Sequence, residues 1–169
     1  MKKVFVVLVA FLAFGFAQAQ DSGFRIGVHL GLPVSDADKI TSLAMGGDLA
    51  YLFNVSEEFK AGASLGYLHY SGKKTHGHKR EGLGFLPIAA TAKYAIIENI
   101  FVGADLGYAL GLSPSINDGG FYYLPKVGYQ IDLFEVYIGY RGIANKFSLE
   151  GYSENLDISS VTLGFNYNF

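Results

Sequence analysis

His69 and Ser71 stand two positions apart and form the pair in this chain best suited to nucleophilic catalysis. A histidine next to a serine can accept the hydroxyl proton and so activate the oxygen for acyl transfer. Glu81 is the candidate for an acid that orients the imidazole. The other interpretation is that His69 is an ordinary polar side chain at the end of a strand. Catalysis would need a third group in a defined geometry. We therefore expect a protein without catalytic residues.

Next to this pair lies the most basic stretch of the chain, residues 71–84. It carries six basic or imidazole side chains: Lys73, Lys74, His76, His78, Lys79 and Arg80. Lysine and arginine bind phosphate groups well, so the segment would suit an anionic surface. The alternative is a solvated loop without a defined partner. His76, His78 and His69 are too few ligands for a usual metal site, so we expect no metal and no cofactor.

The elements that must position these residues are strands, because apolar residues recur at every second position. The first segment shows the pattern, with Phe24, Ile26 and Val28 alternating with Arg25 and Gly27. Eight segments repeat it, at residues 24–34, 45–55, 59–67, 86–96, 100–110, 121–131, 134–141 and 161–169. The connections alternate between long (35–43, 71–84, 111–120, 143–158) and short (56–58, 97–99, 132–133). An even number of strands with short turns at one end and long loops at the other predicts an all-β, eight-stranded antiparallel transmembrane β-barrel.

The strands of a soluble eight-stranded barrel would also alternate between apolar and polar residues, but with the apolar face turned inward. The apolar face here is bulky on every strand, and an eight-stranded barrel has an interior only just filled by side chains. The opposite face is mostly Gly, Ala, Ser and Thr, which suits a narrow lumen. The apolar face carries no charge, as expected of a surface that meets lipid. We therefore expect the apolar face to point outward.

On the lumen phase of the strands there are eight charged residues: Arg25, Asp48, Lys60, Lys93, Asp105, Lys126, Glu135 and Arg141. Counting from the short-turn end places Lys93, Asp105 and Lys126 at similar depth, so we predict that they form one cluster. Arg25, Lys60 and Glu135 should lie near the mouth at the short-turn end, while Asp48 and Arg141 could meet only across the lumen. Because buried charges must be paired, such a network favours a plugged lumen, with a selective pore as the alternative.

Two kinds of residue should mark the strand ends. Pro33, Pro87 and Pro125 remove ladder hydrogen bonds, so the ladder should bulge or fray there. Tyrosine and phenylalanine cluster near both ends of the strands and predict two aromatic girdles.

Residues 1–19 are expected to be a cleaved signal peptide, which leaves residues 20–169 as the barrel domain. Lys2 and Lys3 form a basic start, residues 4–16 an apolar run, and Ala17-Gln-Ala19 a small-x-small cleavage site. Without Lys2 and Lys3, 11 of the 13 basic residues remain against 15 acidic ones, so there is no basic excess suited to nucleic acid. The chain has no cysteine, so neither disulfides nor thiolate metal sites are expected.

At the other terminus, residues 161–169 alternate up to a final phenylalanine, with Phe165, Tyr167 and Phe169 on the apolar phase. This ending resembles the terminal strand of bacterial outer-membrane β-barrels, which their assembly machinery reads as an insertion signal. The whole mature chain looks like the small outer-membrane β-barrel family of the OmpA-transmembrane-domain, OmpX and OmpW type.

The resemblance implies a multi-pass barrel in the outer membrane of a Gram-negative bacterium, in contact with lipid, lipopolysaccharide and the barrel assembly machinery. That family includes adhesive, structural, solute-conducting and lipid-modifying proteins. We expect a structural or surface-interaction role, with a narrow porin-like channel as the alternative and a lipid A-modifying hydrolase as the third reading. His69-Tyr70-Ser71 is similar to the His-x-Ser of lipid A deacylases, but Gly72 stands where their motif continues with Asn.

Overall fold

The computed structural model describes residues 23–34, 41–72, 74–75, 78–79, 82–112, 119–149 and 152–169. The expected signal peptide at residues 1–19 lies outside these ranges. Ten strands are present in the described part: β1 (Gly23–Val34), β2 (Thr41–Asn54), β3 (Phe59–Gly72), β4 (Lys74–Thr75), β5 (His78–Lys79), β6 (Leu83–Ile97), β7 (Ile100–Gly111), β8 (Gly120–Ile131), β9 (Phe134–Leu149) and β10 (Tyr152–Asn168).

Eight of these strands close into a barrel in the order β1-β10-β9-β8-β7-β6-β3-β2, and β1 pairs with β2 to complete the circle. Every pairing is antiparallel. The chain is therefore an up-and-down barrel in which only neighbouring strands pair, apart from the closure of β1 on β10. Closure leaves no open sheet edge along the paired length. A sheet that spans a membrane must be closed in this way, because lipid offers no hydrogen-bond partners for unpaired backbone groups. In the described residues, no helix is long and apolar enough to cross a membrane.

The two faces of the barrel are those expected from the alternation. On β1, Phe24, Val28 and Leu32 are about two-thirds exposed, whereas Arg25 and His29 between them are buried. The same inversion holds on the other barrel strands, where most of the large aliphatic and aromatic side chains point outward. Such an apolar outside with a polar inside is the arrangement of a barrel whose solvent on the outside is lipid.

The connections at the short-turn end agree with the predicted ones. The prediction of a fourth long connection, at residues 143–158, was wrong. Residues 143–158 are largely strand, because β9 and β10 stay paired from Phe134↔Tyr167 up to Leu149↔Tyr152. The pairing of β9 with β8 ends at Ala144, and that of β10 with β1 ends at Ser159. This hairpin therefore continues past the closed part of the barrel. Charged and small residues in this stretch, such as Lys146 and Glu154, interrupt the apolar alternation on which the prediction of strands depended.

The prolines interrupt the ladders as predicted. Between β3 and β6 the pairing skips the positions around Pro87, and between β8 and β9 it skips those around Pro125. Pairing of β1 with β2 stops at Gly31, two residues before Pro33. The cause is the missing N–H, which leaves no donor for the neighbouring strand.

Candidate functional site: the barrel lumen

Glycine makes room for the large side chains that fill the lumen. The ring of Tyr137 lies over Gly164, its partner on β10, so closely that a Cβ there would collide with the ring. In the same way the ring of Phe101 covers Gly128. An eight-stranded barrel has little internal space, so each bulky inward side chain needs a small one beside it.

One ion pair sits deep in the lumen between neighbouring strands. Lys126 Nζ on β8 donates to both carboxylate oxygens of Asp105 on β7, at 2.8 and 2.7 Å. The hydroxyl of Thr91 on β6 donates to the same carboxylate at 2.5 Å. All three side chains are buried. The Asp105 carboxylate is thus bonded from the strands on both sides, which ties β6, β7 and β8 together.

The predicted membership of Lys93 in this cluster was wrong. Its ammonium group bonds instead to Glu135 on β9, at 2.5 Å, and to the side-chain oxygen of Gln130, and it lies 4.4 Å from the centre of the Phe101 ring. The direct partner of Asp105 on β6 is Thr91, and Lys93 lies one pair step nearer the short turns. Its long side chain therefore reaches down and across the lumen rather than up to Asp105.

Glu135 interacts with further side chains at the same depth in the lumen as Lys93. Its second oxygen accepts a hydrogen bond from Asn166 at 3.0 Å and lies 3.8 Å from Arg25 Nη1. Arg25 is on β1 and Lys93 on β6, so Glu135 links strands on both sides of the lumen. We call Arg25, Lys93, Asp105, Lys126 and Glu135 the ionic layer; all five are at most 6% exposed.

Asp48 and Arg141 face a small enclosed cavity above the ionic layer. Asp48 Oδ1 accepts a hydrogen bond from His29 Nδ1 at 3.3 Å. Arg141 and Tyr122 line the cavity together with His29, Asp48 and Asp105. His29, Tyr122 and Tyr137 were not among the predicted site residues, although their inward phase on the strands was a signal that could have identified them.

Nearer the long-connection end, the lumen is filled by an apolar layer: Ala44, Leu68, Tyr70, Leu83, Phe85, Ala109, Ile143 and Ile158, each at most 8% exposed. The hydroxyl of Tyr70 on β3 is 3.2 Å from that of Ser160 on β10. Those strands are separated by β1 and β2, so the bond crosses the lumen. Most of these residues lay in or next to the predicted loops, which is why the sequence analysis missed the layer.

Lys60 lies at the mouth at the short-turn end. It is half-buried, directly opposite Lys93 in the register of β3 and β6. In the described part of the chain it forms no ion pair.

His69 and Ser71 lie on the outer face of β3. The His69 imidazole packs against Gly82, whereas the Ser71 carbonyl accepts a hydrogen bond from the Ser42 hydroxyl at 3.3 Å. Within the described residues, no hydrogen bond joins His69 to Ser71. Glu81 lies outside those residues.

The basic segment is described only in its backbone and only in part. Lys74 pairs with Lys79, and Thr75 with His78, in a two-stranded ribbon of β4 and β5. The remaining predicted residues of the segment, Lys73, His76 and Arg80, lie outside the described residues.

Aromatic side chains cluster at both ends of the outer face. At the short-turn end, Phe134 contacts Phe165 and Tyr167, and Tyr167 contacts Phe169 with ring centres 4.8 Å apart. At the other end, Tyr123 stacks between Phe121 and Tyr140. The end of β10 therefore contributes three rings to the first girdle.

Comparison with solved structures agrees with this architecture. The chain is similar to the Ail protein of Yersinia pestis in a nanodisc, at 15% identity and a TM-score of 0.56 over 88% of this chain and 100% of that one. It is also similar to Ail in complex with the heparin analogue sucrose octasulfate, at 15% identity and a TM-score of 0.55 over 88% and 97%. A de novo designed transmembrane β-barrel matches at 11% identity and a TM-score of 0.53 over 87% and 95%.

No family model matches the chain, and no curated protein sequence matches it. At these identities the likeness concerns the fold, which is that of the small eight-stranded outer-membrane β-barrels.

Proposed function

We propose that this protein is a non-enzymatic structural or surface-interaction barrel of the outer membrane, with its lumen plugged by side chains. The observation that carries the proposal is the filling of the lumen by two successive sets of side chains, the ionic layer and the apolar layer. In a barrel of eight strands the interior is normally just filled, and ion pairs satisfied inside it stabilise the closed form.

The long-connection end would then be the part that meets partners outside the cell. The basic segment 71–84 is the candidate contact, since Lys73, Lys74, Lys79 and Arg80 would meet lipopolysaccharide phosphates. Ail, a barrel of the same fold, has been solved with sucrose octasulfate, which is a polyanion. This supports a search among anionic surface partners.

Binding of lipopolysaccharide to the refolded protein tests the outer contact. A variant with Lys73, Lys74, Lys79 and Arg80 changed to Gln should bind more weakly, and wild-type binding should weaken as salt is added. A matched variant with four acidic-to-amide changes keeps the number of substitutions constant. Equal binding by the basic-segment variant and the wild type would show that this segment does not form the contact with lipopolysaccharide.

The plug is tested by planar-bilayer conductance of the refolded mature protein, after a heat-modifiability gel shows that the barrel is folded. We expect no current steps. The alternative, a narrow channel, is favoured by the polar character of the lumen near the short turns. Current steps that change in a Lys126→Ala variant would establish the channel and overturn the plug.

The hydrolase reading has a separate test. Lipid A deacylation by the wild type that is lost in Ser71→Ala would support it. We expect no deacylation, because His69 and Ser71 are not hydrogen-bonded to each other in the structure.

A further inference from the structure

The short-turn end of the barrel opens into a cavity of about 340 Å³, which we call the vestibule. Its wall includes Leu52, Asn54, Lys60, Lys93, Gln130 and Glu135. It lies at the opposite end from the basic segment, so nothing in the proposed surface role uses it. If that end faces the periplasm, as both termini and the short turns indicate, the vestibule opens to periplasmic solutes.

Two lysines share this space in an arrangement that is unfavourable by itself. Lys60 and Lys93 are directly opposite each other on β3 and β6, and like charges directly opposite on neighbouring strands repel. Lys93 is compensated by Glu135, which also serves Arg25. Lys60 forms no ion pair with any described residue. The pair would be stabilised by an anion between the lysines and the solvent.

The acidic side chain at the rim does not fill this role. Asp132 borders the vestibule, but in the described residues it makes no ion pair with Lys60 or Lys93. Asp132 lies in the exposed turn between β8 and β9, where its backbone carbonyl accepts a hydrogen bond from Gln130.

We propose that the vestibule binds a small organic anion that carries a carboxylate or a phosphate group. This anionic group is held by Lys60, with Lys93 adding positive charge. The vestibule is large enough for a molecule of this kind, and the pairing of Lys93 with Glu135 keeps its floor in place.

Isothermal titration of the refolded protein in detergent tests the proposal, with gluconate, glucose 6-phosphate and uncharged glucose as probes. We expect at least one anion to bind and glucose not to bind. Binding of both anions would assign the site to the shared anionic chemistry, and binding of only one would assign it to carboxylate or phosphate. Binding of neither, or equal binding of glucose, would overturn the proposal.

Lys60→Gln should weaken anion binding at least tenfold, because it removes the charge-assisted contact. The half-buried Lys60 makes no ion pair in the described residues, so this variant should fold, as a heat-modifiability gel would show. Lys146→Gln, which removes the same charge on the far end of β9, should bind as tightly as the wild type. Unchanged binding by Lys60→Gln would place the anion elsewhere and exclude the vestibule.

Discussion

At the scale of single residues, the lumen depends on side chains that satisfy more than one partner. Glu135 is bonded to Lys93 and Asn166 and lies within ion-pair distance of Arg25. Because the group is buried, removing its charge leaves two cations without an anion nearby. A buried charge that loses its partner costs far more than the pair contributes when intact.

We therefore expect Glu135→Gln to lower the free energy of unfolding by about 3–5 kcal/mol. Urea unfolding of the refolded protein would measure this loss. Glu98→Gln, in the exposed turn between β6 and β7, is the matched control and should change stability by less than about 0.5 kcal/mol. Equal stability of the two variants would mean that the lumen charges do not hold the barrel.

Glycine in the lumen can be tested in the same way. Gly164→Ala places a methyl group against the Tyr137 ring, so we expect a loss of about 1–3 kcal/mol in unfolding free energy. Gly66→Ala, where the nearest atoms lie 3.3 Å or more from the added carbon, is the control and should cost less. The same urea series would compare them, and a larger loss for Gly66→Ala would contradict this account of packing.

At the scale of the elements, alternation decides which side of a strand meets lipid, and proline decides where a ladder is interrupted. The last strand, β10, leads to the residues that we expect to serve as an insertion signal for the assembly machinery. Phe169 is 73% exposed, and among the described residues its ring contacts that of Tyr167 on the outer face. Its side chain thus contributes little to the filling of the lumen.

We expect Phe169→Ser to reduce the amount of barrel in the outer-membrane fraction of cells by several-fold while the purified variant still refolds in detergent. The reason is that the residue would act in recognition by the assembly machinery rather than in packing. Cell fractionation and a heat-modifiability gel measure the two effects. Leu163→Ser, on the same outer face of β10, is the control; an equal loss for both would indicate a general effect of polarity.

At the scale of the whole molecule, two sets of buried side chains follow one another along the lumen. The ionic layer lies nearer the short turns, and the apolar layer nearer the long connections. The cross-lumen contacts Lys93–Glu135 and Tyr70–Ser160 join strands that are not neighbours in the barrel. Loss of one layer should therefore leave the other in place.

The double variant Lys93→Ala with Glu135→Ala should remain non-conducting in a planar bilayer, because Phe85, Leu68 and Ile143 still fill the lumen. It should also be less destabilised than Glu135→Gln, since only Arg25, and no longer Lys93 as well, is left without the Glu135 carboxylate. Adding Phe85→Ala to the double variant tests the apolar layer. Steady current steps from the double variant alone would show that the ionic layer is the only barrier.

The sequence by itself determined the number of barrel strands, the side of each strand that faces outward and the position of the short turns. These follow from local rules: a strand alternates with period two, and the side that carries Phe24 and Val28 has no charge. The inward phase of all eight predicted charges was likewise readable one strand at a time.

Which inward residues meet was decided only by the tertiary structure. Lys93 pairs with Glu135, three strands away, because strand tilt and a long side chain outweigh residue counting. The apolar layer and the long β9–β10 hairpin also escaped the sequence pattern, since their residues carry no lipid-facing alternation. Contacts across a lumen join residues far apart in the chain, and only the closed, tilted barrel sets the distances between them.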